Sequence, residues 1–184
     1  MKKTPDSIVL YAGIALALCA LLFGLLRKEP QTVLDASREL TAGYASTEEK
    51  SMAVYRYMTR NFRYDFELRD AVLSQTVTKH TPDTQRILND RKGICCDLAV
   101  LYAAMLESQK IEVKIVKGYR DGAYHAWNSV FDEETGKWMQ VDVTSDLWYG
   151  RSWTAWPAFD TARYTVSADL DYSETTPLTF GSGS

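Results

Sequence analysis

The clearest pattern in the chain is a run of nineteen uncharged residues from Ile8 to Leu26, flanked by Lys2 and Lys3 on one side and by Arg27, Lys28, Glu29 and Pro30 on the other. At about 1.5 Å per residue, a helix of this length nearly spans a ~30 Å hydrocarbon core. The run predicts a single transmembrane helix within an N-terminal anchor, residues 1–30. A cleaved signal would have a shorter apolar region ending in a small-residue site, and none follows Leu26. Lipidation of Cys19 is disfavoured by the bulky Leu18 before it and by apolar chain continuing beyond it. A short basic tail ahead of a first span stays in the cytoplasm, which places residues 31–184 on the far side of the membrane, although Arg27 and Lys28 leave only a small positive-inside bias.

After the anchor the pattern turns amphipathic. Residues 32–43 read as a short helix ending at Gly43. Ser46 and Thr47 cap a second helix with Glu49 in its first turn, and Met52, Val54, Tyr55, Met58 and Phe62 share one face. Residues 66–81 are polar and give no assignment. Pro82 and Asp83 open a short helix through Ile87 and Leu88 that stops before Lys92 and Gly93. From Ile94 a third helix carries Leu98, Leu101, Tyr102 and Met105 at helical spacing. The small Ala99, Ala103 and Ala104 would let a sheet approach closely, so this is the expected central helix. The period then changes to two. Ile111, Val113 and Ile115 alternate with Glu112 and Lys114, His125 to Phe131 forms a second strand, and Trp138 to Val143 a third. A further strand is expected near Arg163 to Val166. Helices followed by an antiparallel meander argue for an α+β domain over residues 31–184.

Composition narrows the function. The 184 residues are 46% hydrophobic and 24% charged, with a net charge of −3, which excludes a wholly disordered chain and offers no basic nucleic-acid surface. Three cysteines, Cys19, Cys95 and Cys96, make no disulfide framework.

Cys95 falls at the expected start of the central helix. Unpaired amides and the helix dipole stabilise a thiolate there, the nucleophile that cysteine-based acyl transfer requires. Asp97 opposes this, so a histidine is also needed. Of the two present, His80 lies in a polar stretch and reads as a solvated loop residue, whereas His125 opens a strand. With a loop over residues 132–137, Phe131 pairs with Trp138, Ser129 with Gln140, Trp127 with Asp142 and His125 with Thr144. That register puts His125 and Asp142 on one face as diagonal neighbours, within reach of a carboxylate–imidazole hydrogen bond. A Cys-His-Asp triad is thereby suggested: Cys95, His125 and Asp142.

The segment Gly93-Ile94-Cys95-Cys96-Asp97-Leu98-Ala99, the strand ending Lys117-Gly118-Tyr119, the stretch His125-Ala126-Trp127-Asn128, and Trp138 to Thr144 with Val-Asp-Val-Thr resemble the transglutaminase-like superfamily core. The lead-in from Lys50 to Asp65, ending Asn-Phe-Arg-Tyr-Asp, is also similar, so the resemblance covers residues 47–145. It implies a papain-like core with helices packed on an antiparallel sheet. It also implies Cys95 as nucleophile, His125 as general base and acid, and Asp142 as orienting carboxylate. Tyr64 matches the aromatic that precedes the core and, with Trp127, is a candidate substrate-binding or oxyanion residue; the Cys95 amide is the natural oxyanion donor. Asp97 reads as structural, and Cys96 as a core or rim residue. The sequence departs from the family where Lys110-Ile111-Glu112 replaces the usual Gly-Ile-Pro, and it carries no calcium-loop pattern.

The expectation is a membrane-anchored thiol enzyme that attacks a protein or peptide amide through an acyl-enzyme, with amine or water as acceptor. It needs no cofactor, no metal and no nucleic-acid partner. The alternative is a non-catalytic module that presents the same cleft to a protein partner. A zinc site from Cys95, Cys96, His80 and His125 fits tetrahedral-site spacing poorly.

Overall fold

The computed structural model of the protein describes residues 31–149 and 159–167. The expected membrane helix lies outside the described residues. Among those described, no helix is long and apolar enough to cross a membrane. Apart from Gln31, the described residues belong to one unit, Thr32–Ser184.

Helix α1 spans Val33–Thr41, with Thr32 Oγ1 accepting the Asp35 amide at its start. Helix α2 spans Thr47–Asn61 and opens on a reciprocal capping box between Ser46 and Glu49. Strand β1, Arg63–Tyr64, follows at once. Helix α3, Phe66–Leu73, fills part of the stretch that carried no sequence assignment. No residue of α3 is buried, and what starts it is the Asp65 carboxylate accepting the Leu68 amide at 3.1 Å. An apolar periodicity was therefore not there to be read. Helix α4, Thr84–Asp90, begins at Asp83 and ends at Arg91, whose φ of 52° turns the chain into strand β2, Lys92–Gly93.

Helix α5, Cys95–Glu107, is the central element. Leu98, Leu101, Tyr102, Ala104, Met105 and Leu106 are fully buried. Its polar contacts are few and directed: Tyr102 donates to the Ser51 carbonyl at 3.1 Å, and the Ser37 hydroxyl donates to the Met105 carbonyl at 2.6 Å. These bonds lock α1 and α2 onto one side of α5. The sheet covers the other side, where the buried Asn128 amide donates to the Ala99 carbonyl at 3.0 Å.

The sheet has strands β3 (Val113–Arg120), β4 (Ala123–Asp132), β5 (Lys137–Val141) and β6 (Tyr164–Val166), in the order β5-β4-β3-β6 with every pair antiparallel. The α+β class is as expected from sequence. The β4–β5 register has the expected Phe131–Trp138 and Ser129–Gln140 pairs. It stops at Asn128–Val141, so the expected Trp127–Asp142 and His125–Thr144 pairs do not form. The chain leaves the sheet at Asp142 and coils into helix α6, Val143–Tyr149. Asp142 starts that helix: its Oδ1 accepts the Ser145 amide at 3.1 Å, the bond an N-cap carboxylate makes.

Strand β6 closes the sheet beside β3, and Gly118 is what admits it. A Cβ at Gly118 would overlap the Thr165 carbonyl oxygen and stand 3.0 Å from Trp127 Cη2. Gly118→Ala is therefore expected to destabilise the fold by about 1–3 kcal/mol through overpacking. Urea unfolding monitored by tryptophan fluorescence checks this; a variant as stable as the parent would show that β6 is loosely seated.

Candidate active site

Three side chains meet where α5 begins, where β4 runs past it, and where β5 ends. Cys95 is the first residue of α5 and 8% exposed. Its thiol is free of any disulfide and lies close enough to the His125 imidazole to act on it electrostatically. His125 Nε2 lies 2.9 Å from Asp142 Oδ2, which leaves Nδ1 to face the cysteine. The structure brings the three expected residues together, but not through the expected strand register. Asp142 reaches His125 from a strand-to-helix junction, not from across a strand pair.

Electrostatics follow from burial and partners. Burial alone would lower the His125 pKa. The Asp142 hydrogen bond and charge, with the neighbouring Cys95, override it and raise the pKa from 6.5 to about 9. Burial pushes the Asp142 carboxyl up, yet His125, the Tyr164 hydroxyl and Arg120 together hold it below the usual carboxylate range. The Tyr164 hydroxyl donates to Asp142 Oδ2 at 2.6 Å, and Arg120 Nη1 stands 3.8 Å from the same oxygen. Burial, and then the Asp142 charge, push the Tyr164 phenol up, so it remains a donor.

Tyr164 and Arg120 were not among the residues expected from sequence. Tyr164 lay in an expected strand, but nothing local marks it as a carboxylate partner. Arg120 reads as a strand-end charge, yet it is only 8% exposed and its guanidinium lies 5.6 Å from the Tyr164 ring centre.

Tyr64 is placed beside Cys95 by the smaller of the two sheets among the described residues. Strands β1 and β2 are parallel, pairing Tyr64 with Gly93, two residues before the cysteine, and the Asp65 amide donates to the Gly93 carbonyl at 3.0 Å. A Lys92–Asp65 ion pair at 3.1 Å braces the same join. The Tyr64 ring packs against Cys95. Burial, then the Cys95 charge, keep this phenol protonated.

The family model of the transglutaminase-like superfamily matches residues 35–143. The chain belongs to the transglutaminase-like superfamily. No curated protein matches its sequence. Among solved structures, a candidate cysteine protease from Cytophaga hutchinsonii is similar with a TM-score of 0.50 at 17% identity, over 65% of this chain and 40% of that one. A structure described as a TGase is similar with a TM-score of 0.50 at 14% identity, over 82% of this chain and 43% of that one. The chain thus spans about two fifths of the length of either protein, and at these identities the likeness is one of fold.

Within this transglutaminase-like core, two expectations need correction. Trp127 was a candidate substrate contact, but it is 2% exposed. Its ring stacks beside the His125 imidazole at 6.2 Å and 17°, and meets Tyr164 edge-on at 5.1 Å. Its Nε1–H donates to Gln140 Oε1 at 2.9 Å, while the Gln140 amide donates to Ser129 Oγ at 2.7 Å. The indole is a wall behind the histidine, fixed at both ends, and has no face left for a ligand. His80 is not a solvated loop residue either. Its Nε2 lies 2.6 Å from Asp97 Oδ1, and its side chain is 13% exposed. Asp97 is structural as expected, its Oδ2 accepting the Ile94 amide at 3.1 Å. Gly93 makes room for it, since a Cβ there would stand 2.6 Å from Asp97 Cβ.

Cys96 is partly buried. Burial first, then the charges of Asp97 and Cys95, push its thiol up to about 12, so Cys96 is a poor nucleophile beside Cys95. The four-residue zinc constellation weighed from sequence is split: Cys95 and His125 belong to one cluster, Cys96 and His80 to another.

Proposed function

We propose that this chain is a thiol enzyme acting on protein or peptide amides, with Cys95 as nucleophile, His125 as general base and acid, and Asp142 as the carboxylate that orients the imidazole. The observation that carries the reading is the His125–Asp142 hydrogen bond with Cys95 beside that imidazole at the N-terminus of α5.

The chemistry is as follows. With the proton on His125, the Cys95 sulfur attacks the amide carbonyl carbon and a C–S bond forms. The carbonyl π electrons move to oxygen, where the Cys95 amide and the Tyr64 hydroxyl are placed as donors. The intermediate collapses, the C–N bond breaks, and His125 gives its proton to the leaving amine. His125 then takes a proton from an incoming amine or water, which attacks the thioester and releases the thiolate. An amine acceptor gives transamidation and water gives hydrolysis. We further propose that the apolar run Ile8 to Leu26 anchors the domain to a membrane, with the enzyme on the extracytoplasmic side.

The test uses the full chain, a glutamine-bearing protein as donor and a fluorescent primary amine as acceptor, with peptide cleavage followed in parallel. A thioester adduct on the Cys95 peptide, lost in Cys95→Ser, is the expected result. If no adduct forms and iodoacetamide labels Cys95 no faster than a small free thiol, the reading fails and a non-catalytic binding module takes its place.

A further inference from the structure

We infer that His80, Cys96 and Asp97 form a binding site for one divalent cation of the zinc class, distinct in its donor set from the cluster around Cys95. His80 contributes an imidazole nitrogen, Cys96 a thiolate sulfur and Asp97 one carboxylate oxygen, and these three atoms all lie within 4.8 Å of one another.

The donor set selects the ion. Calcium and magnesium want six or more oxygens, and this site offers one. A nitrogen, a sulfur and an oxygen suit a borderline-soft tetrahedral ion, held by three protein ligands with the fourth position open to water or a small ligand. The site is also built in the way metal sites are. Cys96 and Asp97 are successive residues in the first turn of α5, so the helix fixes their relative placement. Asp97 Oδ2 is already held by the Ile94 amide at 3.1 Å, which leaves Oδ1 for the ion and supplies the supporting hydrogen bond that ligating carboxylates carry. His80 comes from the connection between α3 and α4 and already lies against that carboxylate at 2.6 Å.

Ligand atoms around a tetrahedral ion with bonds of ~2.0–2.3 Å stand roughly 3.3–3.6 Å apart. His80 and Asp97 must therefore separate by somewhat under ~1 Å to admit the ion, a shift within reach of a loop histidine. Binding displaces the Cys96 thiol proton to solvent, and His80 presents the Nε2 lone pair with its proton on Nδ1. The inference does not depend on the catalytic reading, since neither Cys95 nor His125 is a ligand.

The test takes the full chain, stripped with a chelator, and titrates Zn2+ against a chromophoric competitor. Co2+ serves as the spectroscopic probe. One Zn2+ per chain is expected, together with a thiolate-to-cobalt charge-transfer band. Cys96→Ser and His80→Ala should each weaken Zn2+ by at least about tenfold, the scale on which losing even a supporting partner is felt, while Cys95→Ser leaves it unchanged. Absence of stoichiometric Zn2+ in the parent overturns the inference. So does full affinity in both ligand variants, which would leave His80 and Asp97 as a simple brace at the helix start. Loss of Zn2+ in Cys95→Ser alone also overturns it, by placing the ion on the nucleophile. If Cys96→Ser does not fold, the double variant Cys19→Ser/Cys95→Ser retains Cys96 as its one thiol. A cobalt–thiolate band in that protein supports the site, and no band overturns it.

Discussion

Asp142→Asn is expected to lower the rate of amide acyl transfer by about 10⁴-fold, the scale seen when the orienting carboxylate of a triad becomes an amide. The reason lies in the hydrogen-bond direction. Asp142 Oδ2 accepts from His125 Nε2 and from the Tyr164 hydroxyl. An asparagine that offers its NH2 group there forces the imidazole to accept at Nε2 and carry its proton on Nδ1, where it can no longer take one from Cys95. The side chain still has an oxygen for the Ser145 amide, so the start of α6 survives. Arg120 loses a buried counter-charge, and a fall in stability accompanies the loss of rate. Rates of fluorescent-amine incorporation and of iodoacetamide labelling at Cys95, compared with the parent at neutral pH, measure the effect. A variant within tenfold of the parent on both would mean that Asp142 does not set the state of His125.

The second large effect concerns pH. The His125 pKa rises on folding from 6.5 to about 9. A raised pKa means that the folded state favours the protonated ring. The stabilisation is fully present below about pH 6.5 and is lost as pH rises through about 9. At about 1.4 kcal/mol per pKa unit the window holds about 3 kcal/mol. Urea unfolding of the parent should show stability falling across that interval relative to His125→Gln, which has no such group to titrate. Amide turnover should decline over the same upper range, as the imidazolium that protonates the leaving amine disappears. Parallel stability curves for parent and variant would remove His125 as the source.

The fold was legible where the local pattern and the tertiary demand agree. Leu98, Leu101, Tyr102 and Met105 form one fully buried helical stripe, while Cys96, Val100 and Glu107 line the partly exposed side of α5. The β4–β5 register follows from the length of the turn between them, since Gly136, at a φ of 67°, closes it where the spacing requires. The end of β5 was not legible. Val141, Val143 and Thr144 have strand propensity, and what turns the chain into α6 is the commitment of Asp142 to a helix cap and a histidine together. His80 was missed for a related reason. Its partner Asp97 is seventeen residues away, and a polar loop carries no sign of what it lies against. Tyr164 and Arg120 are likewise defined only by the carboxylate they share. Residues that touch the site through another side chain leave no periodic trace in the sequence.

Strand β6 adds the last contact of the site from a point late in the chain. Cys95, His125 and Asp142 all precede residue 143 and are carried by α5, β4 and the end of β5. The hydroxyl that shields the carboxylate arrives twenty-two residues later, on a three-residue strand pinned by the Arg163–Asp121 ion pair and by the Asp121 amide donating to the Arg163 carbonyl at 2.9 Å. Without that strand Asp142 would keep its bonds to His125 and to the Ser145 amide and lose the one from Tyr164, so the setting of the carboxylate depends on a segment that follows every other part of the site in the chain.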